Sequence, residues 1–258
     1  MGWFGKLTGG TVGFFLGGPL GALLGTVIGH SFDKRSKIHV RIGRGREHHA
    51  QNFTANDQAQ MVFFVATFSM LGKMLAAGKG ISNAEIRVIE DFIDRDLRLN
   101  IAEKEFAMRI VNTAAASREP FEKFAQQFYA QFHRHPQMLH TMYDILCRVA
   151  DADNKLTKEE EKLLDSAATI FKLRDRSRGS NTGYAGTGSG NEKNYTTLGC
   201  KKTDDIDTIK SAYKKLVKDF HPDTIASKGL PEEFTKFATQ KFKEINEAYE
   251  EIRKERGF

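Results

Sequence analysis

The chain has 258 residues, with 39 Lys and Arg against 33 Asp and Glu, a net charge of +6 and a pI near 9.2. That length holds one large or two modest domains. The basic balance fits nucleic acid or an anionic membrane surface, so where the charge lies matters more than its sum. Cys147 and Cys200 are isolated and far apart, with no CxxC, which argues against a zinc site or a disulfide framework and fits a reducing compartment.

Residues 7–32 carry no charged side chain. As one helix they rise about 39 Å, enough to cross a bilayer. Gly9, Gly13, Gly17, Gly21, Gly25 and Gly29 recur at every fourth position, forming one smooth stripe. In lipid, close backbone approach drives helix association, so a homodimer through that face is expected. A secretory signal peptide is disfavoured: the apolar run is long, only Lys6 precedes it, and a basic flank follows in place of a cleavage site. A buried soluble helix is disfavoured by the glycines. A flexible glycine-rich loop, helped by Pro19, remains the competing reading, although it would leave Phe, Leu, Val and Ile side chains exposed.

Lys34, Arg35, Lys37, Arg41, Arg44 and Arg46 crowd the C-terminal side of this span. By the positive-inside rule the N-terminus lies outside the cytoplasm and the bulk of the chain inside. The same cluster accounts for part of the basic pI through anionic lipid, without nucleic acid. His39, His48 and His49 belong to this polar juxtamembrane segment, residues 33–58, and suggest no metal site.

From residue 59 to 174 the pattern predicts consecutive helices over 61–77, 84–97, 103–116, 120–133, 137–150 and 158–171, a bundle of one domain's length. Residues 75–92 align weakly with 150–167, so that Ile81-Ser82-x-x-Glu85 matches Leu156-Thr157-x-x-Glu160. Both are capping boxes with Ser82 or Thr157 as N-cap, and Ile81 with Ile86 has the spacing of a hydrophobic staple. This duplicated helix-loop-helix resembles the TerB-like domain, whose paired loops carry acidic residues. Here Asp151 and Asp153 keep the second acidic loop, whereas residues 76–81 have no carboxylate. An EF-hand is excluded by Leu156, where the sharp turn needs Gly, and by Lys158 and Lys162. No metal or other cofactor is expected.

Residues 175–194 are rich in Gly and Ser and read as a flexible tether with an end-to-end distance of about 23 Å. Beyond it, Ile206, Ile209, Tyr213, Leu216 and Phe220 mark an amphipathic helix ending at Pro222, and Phe234, Ala238, Phe242, Ile245, Tyr249 and Ile252 mark a second. Proline pushes the residue before it out of the α region, so His221 leaves the helix, with its imidazole expected to point outward. Lys210, Lys214 and Lys218 form one stripe, with Lys215 beside it.

The run Tyr195-x-x-Leu198-Gly199, Ile209-Lys210-x-Ala212-Tyr213-Lys214-Lys215-Leu216, His221-Pro222-Asp223 and Ile245-Asn246-x-Ala248-Tyr249 resembles the J domain of DnaJ/Hsp40 co-chaperones over 195–258. One departure is Thr224, where a lysine is common. The resemblance implies an antiparallel helical hairpin whose basic helix, through Tyr213, Lys214, Lys215, Lys218 and Lys210, docks on Hsp70. It implies that His221, Pro222 and Asp223 trigger ATP hydrolysis by that partner. A lone His and Asp without nucleophile, metal set or pocket make a poor active site, so no catalysis by this chain itself is expected.

The whole chain is thus read as all-α: a glycine-zipper transmembrane helix, a TerB-like bundle, a linker and a J domain. This order resembles the membrane-anchored DnaJ-like proteins of Gram-negative bacteria, which implies a single-pass inner-membrane co-chaperone recruiting DnaK. Two alternatives are a membrane scaffold or envelope-stress sensor acting mainly through the middle domain, and a small-molecule or metal-handling enzyme built on that domain. No phosphate loop or convergent ligand set supports the latter.

Overall fold

The computed structural model describes residues 17–33, 54–77, 83–151, 156–173, 190–221 and 230–258, and every regular element within them is helical. The all-α expectation therefore holds for the described residues.

α1 (Gly18–Asp33) is the described part of the apolar N-terminal stretch. Gly18 has φ +76°, a left-handed conformation that glycine adopts without a Cβ penalty. Pro19 follows in the first turn, where its missing N–H has no partner to lose. Proline here opens a helix and does not interrupt one. Residues 7–16 lie outside the described residues, and with them Gly9 and Gly13.

α2 (Ala55–Ala77) is apolar all round, the mark of a helix enclosed on every side, and nearly all its side chains from Met61 to Leu75 are buried. By length and composition alone it could cross a membrane. Protein encloses it instead, through α4 (Ile101–Ala116), α5 (Phe121–Phe132), α6 (Pro136–Ala150) and α7 (Lys158–Ile170). The crossing with α4 is tight: a Cβ on Gly72 would sit 2.4 Å from the Val111 carbonyl oxygen. Thr67 and Ser69, buried in α2, donate their hydroxyls to the carbonyls of Phe63 (2.8 Å) and Val65 (2.6 Å), so neither brings an unsatisfied group into the core.

α3 (Asn83–Asp91) runs straight into a π-turn at Phe92–Leu97, which ends with Arg98 in the left-handed conformation. The expected capping box at Thr157 is present: its hydroxyl accepts from the Glu160 N–H, and the Glu160 carboxylate accepts from the Thr157 N–H at 2.9 Å. A second box at Asn100 and Glu103 starts α4. Ser82 lies outside the described residues, as do 152–155 with Asp153.

α1 lies across α4 and α5 with Leu20, Leu23, Leu24 and Val27 buried. Gln127 of α5 holds its start, accepting from the Leu20 N–H at 2.9 Å and donating to the Gly17 carbonyl. Nothing lies within 4 Å of a Cβ built on Gly17 or Gly25, so those two glycines face open space.

The C-terminal part comprises α8 (Gly190–Thr197), α9 (Ile206–Phe220) and α10 (Glu232–Arg256). α8 begins inside the expected tether; residues 175–189 of that stretch lie outside the described residues. α9 and α10 form the hairpin, and α8 packs on α10.

Candidate functional site

The hairpin's motif residues are explained by contacts that join distant segments. Tyr195 is fully buried, and Arg256 near the end of α10 donates its Nε–H to the Tyr195 hydroxyl at 3.1 Å while lying over the ring at 5.6 Å. Gly199, at φ +66°, ends α8, and the next N–H, on Cys200, returns to the Tyr195 carbonyl at 2.9 Å. A glycine after the last helical turn is what such a left-handed cap requires. α9 then starts at Asp205, whose carboxylate accepts from the Thr208 N–H at 2.6 Å and is thereby held below the usual carboxylate range.

Tyr213 of α9 stacks on Tyr249 of α10 with ring centroids 3.8 Å apart, and its hydroxyl donates to Asn246 Oδ1 at 2.8 Å. The Asn246 amide in turn donates to the Phe242 carbonyl at 2.8 Å. Partial burial, then the neighbouring Tyr249 and Glu250, push the Tyr213 phenol upward. The basic stripe divides. Lys214 and Lys218 are exposed and Lys215 is half-buried, whereas the Lys210 ammonium is drawn over the Phe258 ring at 5.0 Å.

His221 leaves α9 in an extended conformation, as the following proline demands. Its imidazole does not stand clear of the protein. The residue is half-buried, and the ring sits edge-on to Phe242 of α10 with centroids 5.8 Å apart. Pro222 and Asp223 lie outside the described residues.

A further surface was not anticipated from the sequence. The first turns of α10 enter the middle domain. Phe234 is fully buried with its ring 5.0 Å from Phe63, 6.1 Å from Phe64 and 6.3 Å from Phe68, all of α2. One turn on, Phe237 meets Phe92 of the π-turn edge-on at 5.9 Å, and the Arg148 guanidinium of α6 lies over the Phe237 ring, 5.9 Å from its centroid. Arg148 is itself fixed by a bidentate pair with Asp96, at 2.7 and 3.0 Å. Gln60 donates to the Leu230 carbonyl at 3.4 Å, and His140 of α6 stands 3.9 Å from Asp219 near the end of α9. The only hint in the sequence is a pair of phenylalanines at i and i+3 in the first turns of α10, which periodicity alone assigns to the hairpin's own core.

Three family models match in succession: the co-chaperone DjlA transmembrane domain over residues 1–48, the tellurite resistance protein TerB over 64–181, and the DnaJ domain over 193–256. The chain is similar to the co-chaperone protein DjlA of Escherichia coli strain K12, 31% identical over 282 residues covering 100% of both chains. It is also similar to those of Escherichia coli O157:H7, 29% identical with 100% of both covered, and Photobacterium profundum, 29% identical with 99% of both covered. No solved structure matches the chain.

Proposed function

We propose, from the premise that this chain belongs to the DjlA family of co-chaperones, that it recruits a DnaK-type Hsp70 to the membrane and stimulates its ATPase through His221, Pro222 and Asp223. The family makes it a DnaJ-like co-chaperone, membrane-anchored by a single N-terminal helix, with an Hsp70 as partner. It acts on the ATPase of that partner and performs no chemistry of its own.

One observation carries the residue-level reading. Lys214 and Lys218 project from α9 on the helix that delivers His221 at its end, so a basic face and the start of the trigger tripeptide belong to one rigid element. Lys214, Lys215 and Lys218 meet the acidic surface of the partner, with Tyr213 and Lys210 shaping the base of that face from their places on Tyr249 and Phe258. Such attraction between exposed charges speeds encounter and weakens with salt.

The basic cluster over residues 34–46, against Lys6 alone on the other side, favours a periplasmic N-terminus and cytoplasmic C-terminal domains in the bacterial inner membrane. Contact of that cluster with anionic lipid absorbs the surplus charge without nucleic acid. Within this scheme residues 7–32 are the anchor, 59–174 the TerB-like domain and 195–258 the J domain. The open faces at Gly17 and Gly25 support pairing of two anchors along the glycine stripe into a homodimer, which also requires uncovering Gly21, buried between them.

The test uses the full chain in nanodiscs, with purified DnaK, peptide and nucleotide exchange factor. The wild-type chain is expected to raise the steady-state ATPase rate, and His221→Gln and Asp223→Asn to abolish that rise with unchanged far-UV circular dichroism. A wild-type chain without stimulation, or a His221→Gln variant that stimulates normally, overturns the assignment.

A further inference from the structure

The middle domain and the hairpin meet through a built surface. Its floor is Phe63, Phe64 and Phe68 of α2, and one wall is Phe92, aimed by the π-turn. Arg148 closes the other side, locked by Asp96 with its guanidinium carbon over an aromatic ring at 5.9 Å from the centroid. A planar cation held in this way is an aromatic-binding device. The ligand seated there is the start of α10, with Phe234 on the floor and Phe237 between Phe92 and Arg148.

Two features define this contact. Phe234 makes its ring contacts with three phenylalanines of the middle domain, and through it the hairpin's buried residues Tyr195, Ile209, Phe220, Ile245 and Ile252 join one hydrophobic cluster with α2. Polar groups also converge at its margin: Asp219 faces His140 at 3.9 Å, and Glu233 is brought into the field of Glu103 on α4. The partly buried Glu233 carboxylate, desolvated and facing the negative charge of Glu103, opposes the apolar seat. Opposed terms of this kind suit a contact that opens and closes.

We propose that the middle domain is the intramolecular binding partner of its own J domain: it holds the start of α10 in the aromatic seat, and with it the His221 end of α9 against α6. An Hsp70 lying along Lys214 and Lys218 toward His221 meets α6 while this contact persists, so the docked chain is the less competent form. The inference rests on the co-chaperone reading above. The seat's occupant in this proposal is the chain's own α10.

The test again uses the full chain in nanodiscs and reads the concentration of chain giving half-maximal DnaK stimulation. His140→Asp places like charge opposite Asp219 and favours release; His140→Lys favours docking. If about one molecule in ten is undocked, release lowers the half-maximal concentration on the order of tenfold with the plateau unchanged, and His140→Lys raises it. Hydrogen exchange supplies the second readout: amides in the first turns of α10 lose protection in His140→Asp while those of α2 keep theirs. Phe234→Ser, which leaves the middle domain's sequence intact, is expected to behave as His140→Asp does. Equal half-maximal concentrations in all four chains, with exchange showing release, overturn the restraint; no wild-type protection at the start of α10 overturns the docking. Absence of stimulation by every variant fails the co-chaperone reading instead, and exchange still decides the docking.

Discussion

Tyr213 and Tyr249 lie face to face, 3.8 Å between centroids and 7° between planes, with the Tyr213 hydroxyl also donating to Asn246. One pair thereby ties the second motif segment of the J domain to the fourth. The stack belongs to the hairpin's frame, and the lysines on either side of Tyr213 inherit their direction from it.

Tyr213→Phe keeps the stack and loses the hydroxyl, and is expected to cost about 1 kcal/mol. Tyr213→Ala removes the ring as well and is expected to cost about 2 kcal/mol or more. Native-state hydrogen exchange of α9 and α10 measures both. Equal losses in the two variants would assign the whole effect to the hydroxyl and none to the stack.

Gly72→Ala should destabilise the middle domain although alanine is the better helix former. The gain in propensity is about 1 kcal/mol, but the new Cβ would meet a backbone oxygen at 2.4 Å, so α2 and α4 must move apart along a packed crossing. Overpacking of this kind costs about 1–3 kcal/mol. The expected result is a lower Tm by calorimetry, and a raised Tm would mean the crossing is looser than the Gly72–Val111 approach implies.

Glu233 gives the docking a pH dependence. Burial, then the carboxylates of Glu103 and Glu232, push its carboxyl above the ordinary value, against the pull of a backbone hydrogen bond and Lys236. An acid whose pKa is raised in the docked form weighs against docking while ionised, and the penalty is relieved as pH falls through that raised value. Protection at the start of α10 should therefore increase from neutral pH toward mildly acidic pH. Glu233→Gln should show the stronger protection already at pH 7 and a flatter profile; an unchanged profile would assign the titration to another group.

Cys147 and Cys200 should both resist thiol reagents in the folded chain. Burial, then Asp144, pushes the Cys147 thiol up to about 12; burial, then Asp204, pushes Cys200 to about 11. The thiolate is the reactive form, so alkylation at pH 8 should be slow at both and slowest at Cys147, and rapid once denaturant is added. Fast labelling of Cys147 in the native chain would show that α6 opens readily.

The helices were legible because their patterns are strong and local. The Thr157 box and the ejection of His221 need only neighbouring residues and came through directly. What was not legible depends on pairing between segments. Residues 84–97 read as one α-helix, yet its last turn is π-wound, and nothing in the spacing of Phe92, Ile93 and Leu97 distinguishes the two windings. That turn aims Phe92 at Phe237. Likewise Phe234 is apolar and on phase whether it packs inside the hairpin or against α2, so sequence assigns it to burial but not to a partner. The start of α1 is a further case: the apolar run 7–32 reads as one helix with Pro19 as the argument for a competing loop, and only the left-handed Gly18 shows Pro19 to stand in a first turn.

The four apolar side chains by which α1 rests on the middle domain, Leu20, Leu23, Leu24 and Val27, are already shielded from water in the structure without a bilayer. Insertion of this stretch is then an exchange of one dry surrounding for another, and the two nearly balance. The deciding cost falls on polar atoms: Gln127 must give up the Leu20 N–H and the Gly17 carbonyl, and α4 and α5 are left with a bare furrow. Bilayer thickness and lipid packing alter only one side of that exchange, so they bear on whether the furrow and Gln127 stay covered.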